Sequence, residues 1–308
     1  MRGIFVGFVV LVALVGVRGG NLVLKGKGKD KQGEDQEWWQ SSVLYQIYPR
    51  SFMDSDGDGV GDIKGITSKL DYLVELGIRS VWLSPVYESP MKDFGYDISN
   101  FTNIDPIFGT LEDFFEMQEA MKDRGIKLVM DLVPNHSSDQ HEWFNRSLAG
   151  EAPYDDYYVW VDPKFDDEGE RQPPSNWLSV FGGSAWTYRE EREQYFLHQF
   201  LPEQPDVNGY NENLIQALSD VFQFWLDMGV DGFRVDAIKH FAEIEDYYQD
   251  EAESGIPDLP EGNYENLYHN LTTNQQQTFD VLRRWRLLLD AATEASGSPK
   301  YVEINYFK

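Results

Sequence analysis

Apolar and polar positions along the chain follow two periods, and the switch from one to the other repeats. In KLDYLVELGIRSVWLSP (69–85), FFEMQEAMKDRGIKLVMDLVP (114–134) and VFQFWLDMGVDGFRVDA (221–237), a stretch with helical spacing ends at a glycine. A β-branched residue then opens a short apolar strand. Ahead of the third strand, Leu214, Leu218, Val221, Phe222, Trp225 and Met228 form one stripe on a helix. Gly77, Gly125 and Gly229 stand where a helix C-cap needs positive φ. FDVLRRWRLLLDAATEASGSPKYVEI (279–304) is a fourth, less regular unit with Gly297 before its strand. Strands fed by helices require crossover connections, so the sheet is expected to be parallel.

VLYQIYPRSF (43–52) alternates like a strand, and VLYQIY (43–48) supplies β1; β2 is expected near 80–84, β3 near 128–133, β4 near 232–236 and β5 near 301–304. Five strands with helical crossovers fit a doubly wound sheet or the first part of a (β/α)₈ barrel. The strand-to-helix turns lack a glycine-rich phosphate fingerprint, which favours the barrel. The units are unevenly spaced. Residues 137–212 separate β3 from the next helix and are dense in Trp143, Tyr154, Tyr157, Tyr158, Trp160, Trp177, Trp186 and Tyr188. So long and aromatic a connection is expected to be a small inserted domain. The layout is then barrel over 38–136, insert over 137–212, and barrel again over 213–308.

Composition narrows the partners. The chain of 308 residues carries 53 acidic against 26 basic side chains, a net charge of −27. Such a surface repels phosphate backbones and anionic membranes, so neither nucleic acid nor lipid headgroups are expected partners. Aromatic residues at 15% separate it from acidic disordered chains. MRGIFVGFVVLVALVGVRGG (1–20) has the layout of a cleaved signal peptide, followed by a linker over 21–37, and no further membrane span is expected. A secreted protein is therefore expected, consistent with the sequons at Asn100, Asn135, Asn145 and Asn270. Cysteine is absent, so no disulfide contributes to stability.

DSDGDGVGD (54–62) looks like a calcium loop. An EF-hand would need a bidentate glutamate at loop position 12, where this chain has Gly65, and no amphipathic helix enters it. A solvated turn is the plainer reading; a bound cation is preferred because carboxylates at every second position repel one another.

In a barrel, reacting groups belong at the carboxyl ends of strands. Asp131, Asn135 and His136 fall at the end of β3, Arg234 and Asp236 at the end of β4, and Glu303 on β5. Residues two apart on a strand face the same side, so Arg234 and Asp236 point together, and the guanidinium is expected to keep Asp236 ionised. Each residue has a plainer reading: a buried ion pair for Arg234 and Asp236, a satisfied loop histidine for His136, an exposed side chain for Glu303. Carboxylates at three successive strand ends together point to glycoside hydrolysis, with a retaining outcome if the pair is about 5 to 5.5 Å apart.

With QIYPRSF, DSDGDGVGD, GYDISNF, DLVPNH, QPDVN and GFRVDAIKH in series, the chain from Trp38 to Glu303 resembles the α-amylase family of glycoside hydrolases, in its insect maltase-like α-glucosidase branch. The resemblance implies a structural Ca²⁺ held by Asp54, Asp56, Asp58, the Val60 carbonyl and Asp62. It implies Asp236 as nucleophile, Glu303 as general acid/base and Arg234 as electrostatic partner. Tyr96, Asp97 and His136 would bind hydroxyls of a terminal glucose, Asp131 belonging to the same substrate-binding set. Exo-action on small α-glucosides such as maltose or sucrose follows, with the aromatic insert offering stacking faces and transglycosylation as a side activity. Ala237, beside the nucleophile, resembles the α-1,4-preferring members. The family pattern breaks after Glu303, at Ile304-Asn305-Tyr306-Phe307-Lys308, before strands six to eight, the third catalytic carboxylate and the C-terminal β-domain. The expectation is a sequence shortened relative to the family. A non-catalytic amylase-like binding protein is the alternative; its transporter-subunit form would bring a membrane span, a linking cysteine and eroded catalytic residues, and none is seen.

Overall fold

A computed structural model describes residues 37–304. The signal-peptide-like run and nearly all of the linker lie outside these residues, as does the tail after Ile304. The core is a parallel sheet of five strands: β1 (Leu44–Ile47), β2 (Ser80–Leu83), β3 (Lys127–Leu132), β4 (Gly232–Val235) and β5 (Tyr301–Ile304). They lie side by side in sequence order. A doubly wound sheet would reverse its strand order at a switch point, so the sequential order decides for part of an α-amylase-type (β/α)₈ barrel.

Each strand after β1 is preceded by its helix: Leu70–Glu75, Leu111–Asp123, Glu212–Asp227 and Gln276–Ser296. In Glu212–Asp227 the predicted stripe is buried at Leu214, Leu218, Val221, Phe222 and Trp225, while Met228 ends the helix half-buried. Phe222 meets Phe233 of β4 at 4.8 Å between ring centroids and Trp285 of the last helix at 5.0 Å. Burying rings of this size from both layers is the main source of cohesion, each worth on the order of 2–3 kcal/mol. Gly232 permits the β4–β5 contact, since a Cβ there would lie 2.5 Å from the Tyr301 carbonyl oxygen.

Two local readings change. VLYQIYPRSF is a strand only over Leu44–Ile47; Pro49 then opens a one-turn helix, Pro49–Phe52, at the helix-first position its fixed φ suits. A further helix, Ile63–Ser68, starts directly after the acidic loop.

The insert after β3 is antiparallel. Strands Trp160–Val161, Gln194–Leu197 and Trp186–Arg189 form one small sheet, and Lys164–Phe165 pairs with Arg171–Gln172. Val159, Val161, Trp177, Ala185, Trp186 and Leu197 make a second apolar cluster. The expected sugar-stacking role of the insert's aromatics is corrected here for several of them: Trp177 is 1% exposed, and Trp186, Tyr157 and Tyr158 are also buried. Tyr157 and Tyr158 pack into the main core, and Trp177 and Trp186 into the insert's own. The connection after β4 completes that core, with Tyr247 6.0 Å from Trp177 and the Trp177 indole donating to the Gln249 carbonyl at 2.9 Å. Among the described residues no helix is long and apolar enough to cross a membrane.

Candidate active site

The strand register brings three of the sequence candidates into one row. Asp131 on β3, Arg234 on β4 and Glu303 on β5 are direct cross-strand partners at the carboxyl ends of their strands. Arg234 Nη1 donates to both Asp131 oxygens at 3.0 Å, and Nη2 meets Asp236 Oδ1 at 2.7 Å. Arg234 and Asp236 do point together, as the two-residue spacing requires. Directly after Asp236 the backbone turns at Ala237, with φ 52°, into a short helical turn, Ile238–His240.

Burial and the Arg234 guanidinium act on the Asp236 carboxyl in opposite directions. Burial pushes the Asp236 carboxyl above its ordinary range, and the pull of Arg234 offsets this only in part. The same cation also pairs with Asp131, which is fully buried where Asp236 is half-buried. Asp131 is enclosed: burial raises it to about 7 against the opposing charge of Arg234, with Asp236 adding to the rise. Asp131 Oδ2 also accepts from the Trp82 indole at 3.0 Å and the Tyr96 hydroxyl at 3.2 Å. Trp82 lies beneath Arg234, whose guanidinium carbon is 4.8 Å from the ring centroid. Desolvation beside these carboxylates raises Tyr96, so its phenol stays a neutral donor.

Two of the proposed hydroxyl binders, Asp97 and His136, also have hydrogen-bond partners inside the protein. Asp97 is 0% exposed; its oxygens accept from the Ser89 hydroxyl at 2.9 Å and the Lys92 and Asp93 N–H groups at 2.9 and 3.0 Å. It clamps the loop that leads to it. His136 is buried against Phe200, and burial lowers it to about 3, so the ring is neutral. Its Nε2 lies 3.2 Å from the Tyr96 carbonyl and 3.1 Å from Gln204 Nε2, and its Nδ1 3.1 Å from Asn135 Nδ2.

Below this row lies a buried network not anticipated from sequence. Asp206, in QPDVN, accepts from Asn135 Nδ2 at 2.9 Å and from the Gln199 N–H at 3.0 Å. Gln199 Nε2 donates on to Glu243 at 2.7 Å. Burial raises Asp206 to about 8 and pushes Glu243 upward as well. The only signal available in advance was the Asp of QPDVN itself; Gln199 and Glu243 stand in no motif, and Trp82 reads as an ordinary apolar strand residue.

In the acidic loop, ligand atoms of Asp54, Asp56 and Asp58 lie within 4.8 Å of one another. Hard carboxylate oxygens so gathered suit a hard divalent cation. Asp54 is kept low chiefly by the Gly57 N–H, then by that of Gly59, so it is poised as an anion. Val60 belongs to the same loop, its N–H donating to Asp58 at 2.7 Å. Asp62 is outside the group. Partial burial raises its carboxyl, but donors from Ser55 and Gly65 outweigh this, and it serves as the N-cap of Ile63–Ser68.

Of the sequon asparagines, Asn145 and Asn270 are exposed and Asn100 half-exposed, whereas Asn135 is 1% exposed and spends its amide on Asp206 and His136.

Residues 46–298 match the family model described as alpha amylase, catalytic domain. Maltase A2 of Drosophila melanogaster is 53% identical over 272 residues, which are 87% of this chain and 48% of that protein. An amino acid transporter heavy chain, SLC3A1 of Rattus norvegicus, is 43% identical over 268 residues, 86% of this chain and 39% of that one. The crystal structure of the alpha-glucosyl transfer enzyme XgtA superposes with a TM-score of 0.77 at 44% identity, covering 84% of this chain and 49% of that one. The chain thus spans about half the length of the curated relatives it matches.

Proposed function

The chain belongs to the α-amylase family, and from that premise we propose that it is the catalytic part of a secreted retaining α-glucosidase acting on small α-glucosides. The observation that carries the reading is the row Asp131, Arg234, Glu303 across three strands, with Asp236 held by the same guanidinium at 2.7 Å. In this reading Glu303 protonates the glycosidic oxygen while Asp236 attacks the anomeric carbon. Water then releases glucose with the α configuration retained, Glu303 now taking the proton. Arg234 offsets charge on Asp236 through the cycle, and Tyr96 and Asp131 hold that arginine in place. Asp54, Asp56 and Asp58 would hold Ca²⁺, which when bound ties the loop after β1 to the barrel. Maltase A2 supports a maltose-type substrate; the early hydrophobic run and the exposed sequons support secretion.

Glucose release from maltose by the chain as written, with calcium, beside Asp236→Asn, tests the reading. Release that disappears in Asp236→Asn is the expected result. A folded chain that releases nothing while binding the substrate would favour the second reading, a non-catalytic relative, to which the similarity with the transporter heavy chain lends support.

A further inference from the structure

Away from the strand ends, a groove of about 630 Å³ opens between the hairpin strand Asn100–Ile104, the segment 140–145 and Val221 of helix Glu212–Asp227. Its volume falls within the range of small-ligand sites. None of the residues of the catalytic row lines it.

The groove contains an open donor. His141 is 5% exposed, its Nδ1 accepts from the Trp143 N–H at 3.0 Å, and burial lowers the ring to about 3. A neutral ring accepting at Nδ1 carries its proton on Nε2, and no hydrogen bond within the protein occupies that nitrogen among the described residues. His141 lines the groove, so a ligand acceptor can reach that donor. Around it the chemistry is mixed and short of cations. Asn100 spends its oxygen on Thr102 at 3.1 and 3.2 Å, leaving Nδ2 to donate. Glu88 commits one oxygen to Asn103 at 2.6 Å, leaving the other to accept. Gln140 offers both functions from an exposed position, and no Lys or Arg lines the groove. The indole of Trp143, packed on His141 at 4.5 Å and Phe101 at 5.7 Å, provides a fixed, half-exposed aromatic wall.

An anion would find no counter-charge here, and an apolar ligand would strand the amides and carboxylates. Paired donors and acceptors beside an aromatic face match the vicinal hydroxyls and C–H face of a sugar. Two of the sequon asparagines, Asn100 and Asn145, also line this groove. We propose that the groove is a saccharide-binding site separate from the catalytic centre, with His141, Gln140, Asn100 and Glu88 reading hydroxyls against the face of Trp143. The saccharide has two sources, a free oligosaccharide or the core of an N-glycan carried on Asn100 or Asn145, and the same chemistry serves both.

The test uses the full chain made in bacteria, without glycans, and the same chain secreted from eukaryotic cells. Each is titrated with maltotetraose and with N,N′-diacetylchitobiose, followed by tryptophan fluorescence and the His141 ring-nitrogen NMR shifts. Saturable binding of at least one sugar is expected. It should weaken at least about fivefold in Gln140→Ala, an exposed position that leaves the fold alone, and in Trp143→Phe, the loss expected from one contact. It should persist in Asp236→Asn. Maltotetraose binding identifies a free glucan as the source. Chitobiose binding that is absent from the glycosylated chain identifies the protein's own glycan. No saturable binding of either sugar, binding unchanged in both groove variants, or binding lost in Asp236→Asn overturns the proposal.

Discussion

Arg234 and Asp131 stand directly opposite each other on neighbouring strands, with Arg234 Nη1 3.0 Å from both carboxylate oxygens. The same guanidinium reaches Asp236, so one cation serves two acids at the floor of the candidate site. Removing it strands both. Arg234→Met should lower the free energy of unfolding by about 3–5 kcal/mol, measured by urea denaturation, the range for breaking a buried ion pair from one side. Arg234→Lys should recover only part of this, because an ammonium cannot span Asp131 and Asp236 as a planar fork does.

Asp131 predicts a pH dependence. Its carboxyl is raised in the fold from 3.8 to about 7, chiefly by burial. A raised carboxyl binds its proton more tightly in the folded state, so its contribution is fully present below the unfolded value and is lost as pH rises through the folded one. The stability of the wild type relative to Asp131→Asn should therefore fall between pH 4 and pH 7 and level off above. A difference that stays constant across that interval would show that Asp131 is not raised.

The acidic loop separates metal binding from helix capping. Calcium at about a hundred times its dissociation constant should stabilise the chain by about 2.7 kcal/mol, and chelation should remove that increment. Asp56→Asn or Asp58→Asn should abolish the calcium response with little effect in its absence. Asp62→Ala should behave in the opposite way, costing about 1 kcal/mol with or without calcium, as loss of an N-cap does. Thermal unfolding with calcium and with chelator, on all the variants, distinguishes these outcomes.

Trp177 tests the structural assignment of the insert's aromatics. Trp177→Ala should destabilise by about 3–5 kcal/mol through lost burial and the cavity left behind. Saccharide binding per folded molecule should stay unchanged. A variant of normal stability with weakened sugar binding would restore the stacking role expected from the sequence.

The repeating helix, glycine, strand pattern was legible because burial selects side chains by period, and the period survives whatever the helix packs against. The strand-end positions of Asp131, Arg234 and Asp236 were legible for the same reason. The upward push that burial exerts on the Asp236 carboxyl was not. Spacing identifies Arg234 as its neighbour, but says nothing of Asp131 facing that arginine from another strand, or of the desolvation both acids undergo. Asp97 and His136 illustrate the same limit: their motifs are visible in the sequence, whereas Ser89 and Lys92, which engage Asp97, stand in no motif.

Taken alone, then, the sequence determined the elements, their order, the parallel sheet and the family, because each depends on local periodicity or on motifs contiguous in the chain. Tertiary structure decided which carboxylates share a cation, and which aromatics are core. It also decided that Asp62 caps a helix beside the three clustered aspartates, and that His141, Asn100 and Asn145 border one groove. Except in the acidic loop, where the contacts are local, those outcomes rest on distances between residues far apart in sequence and on the removal of water around them. Both arise only when the strands register and the loops close over their ends.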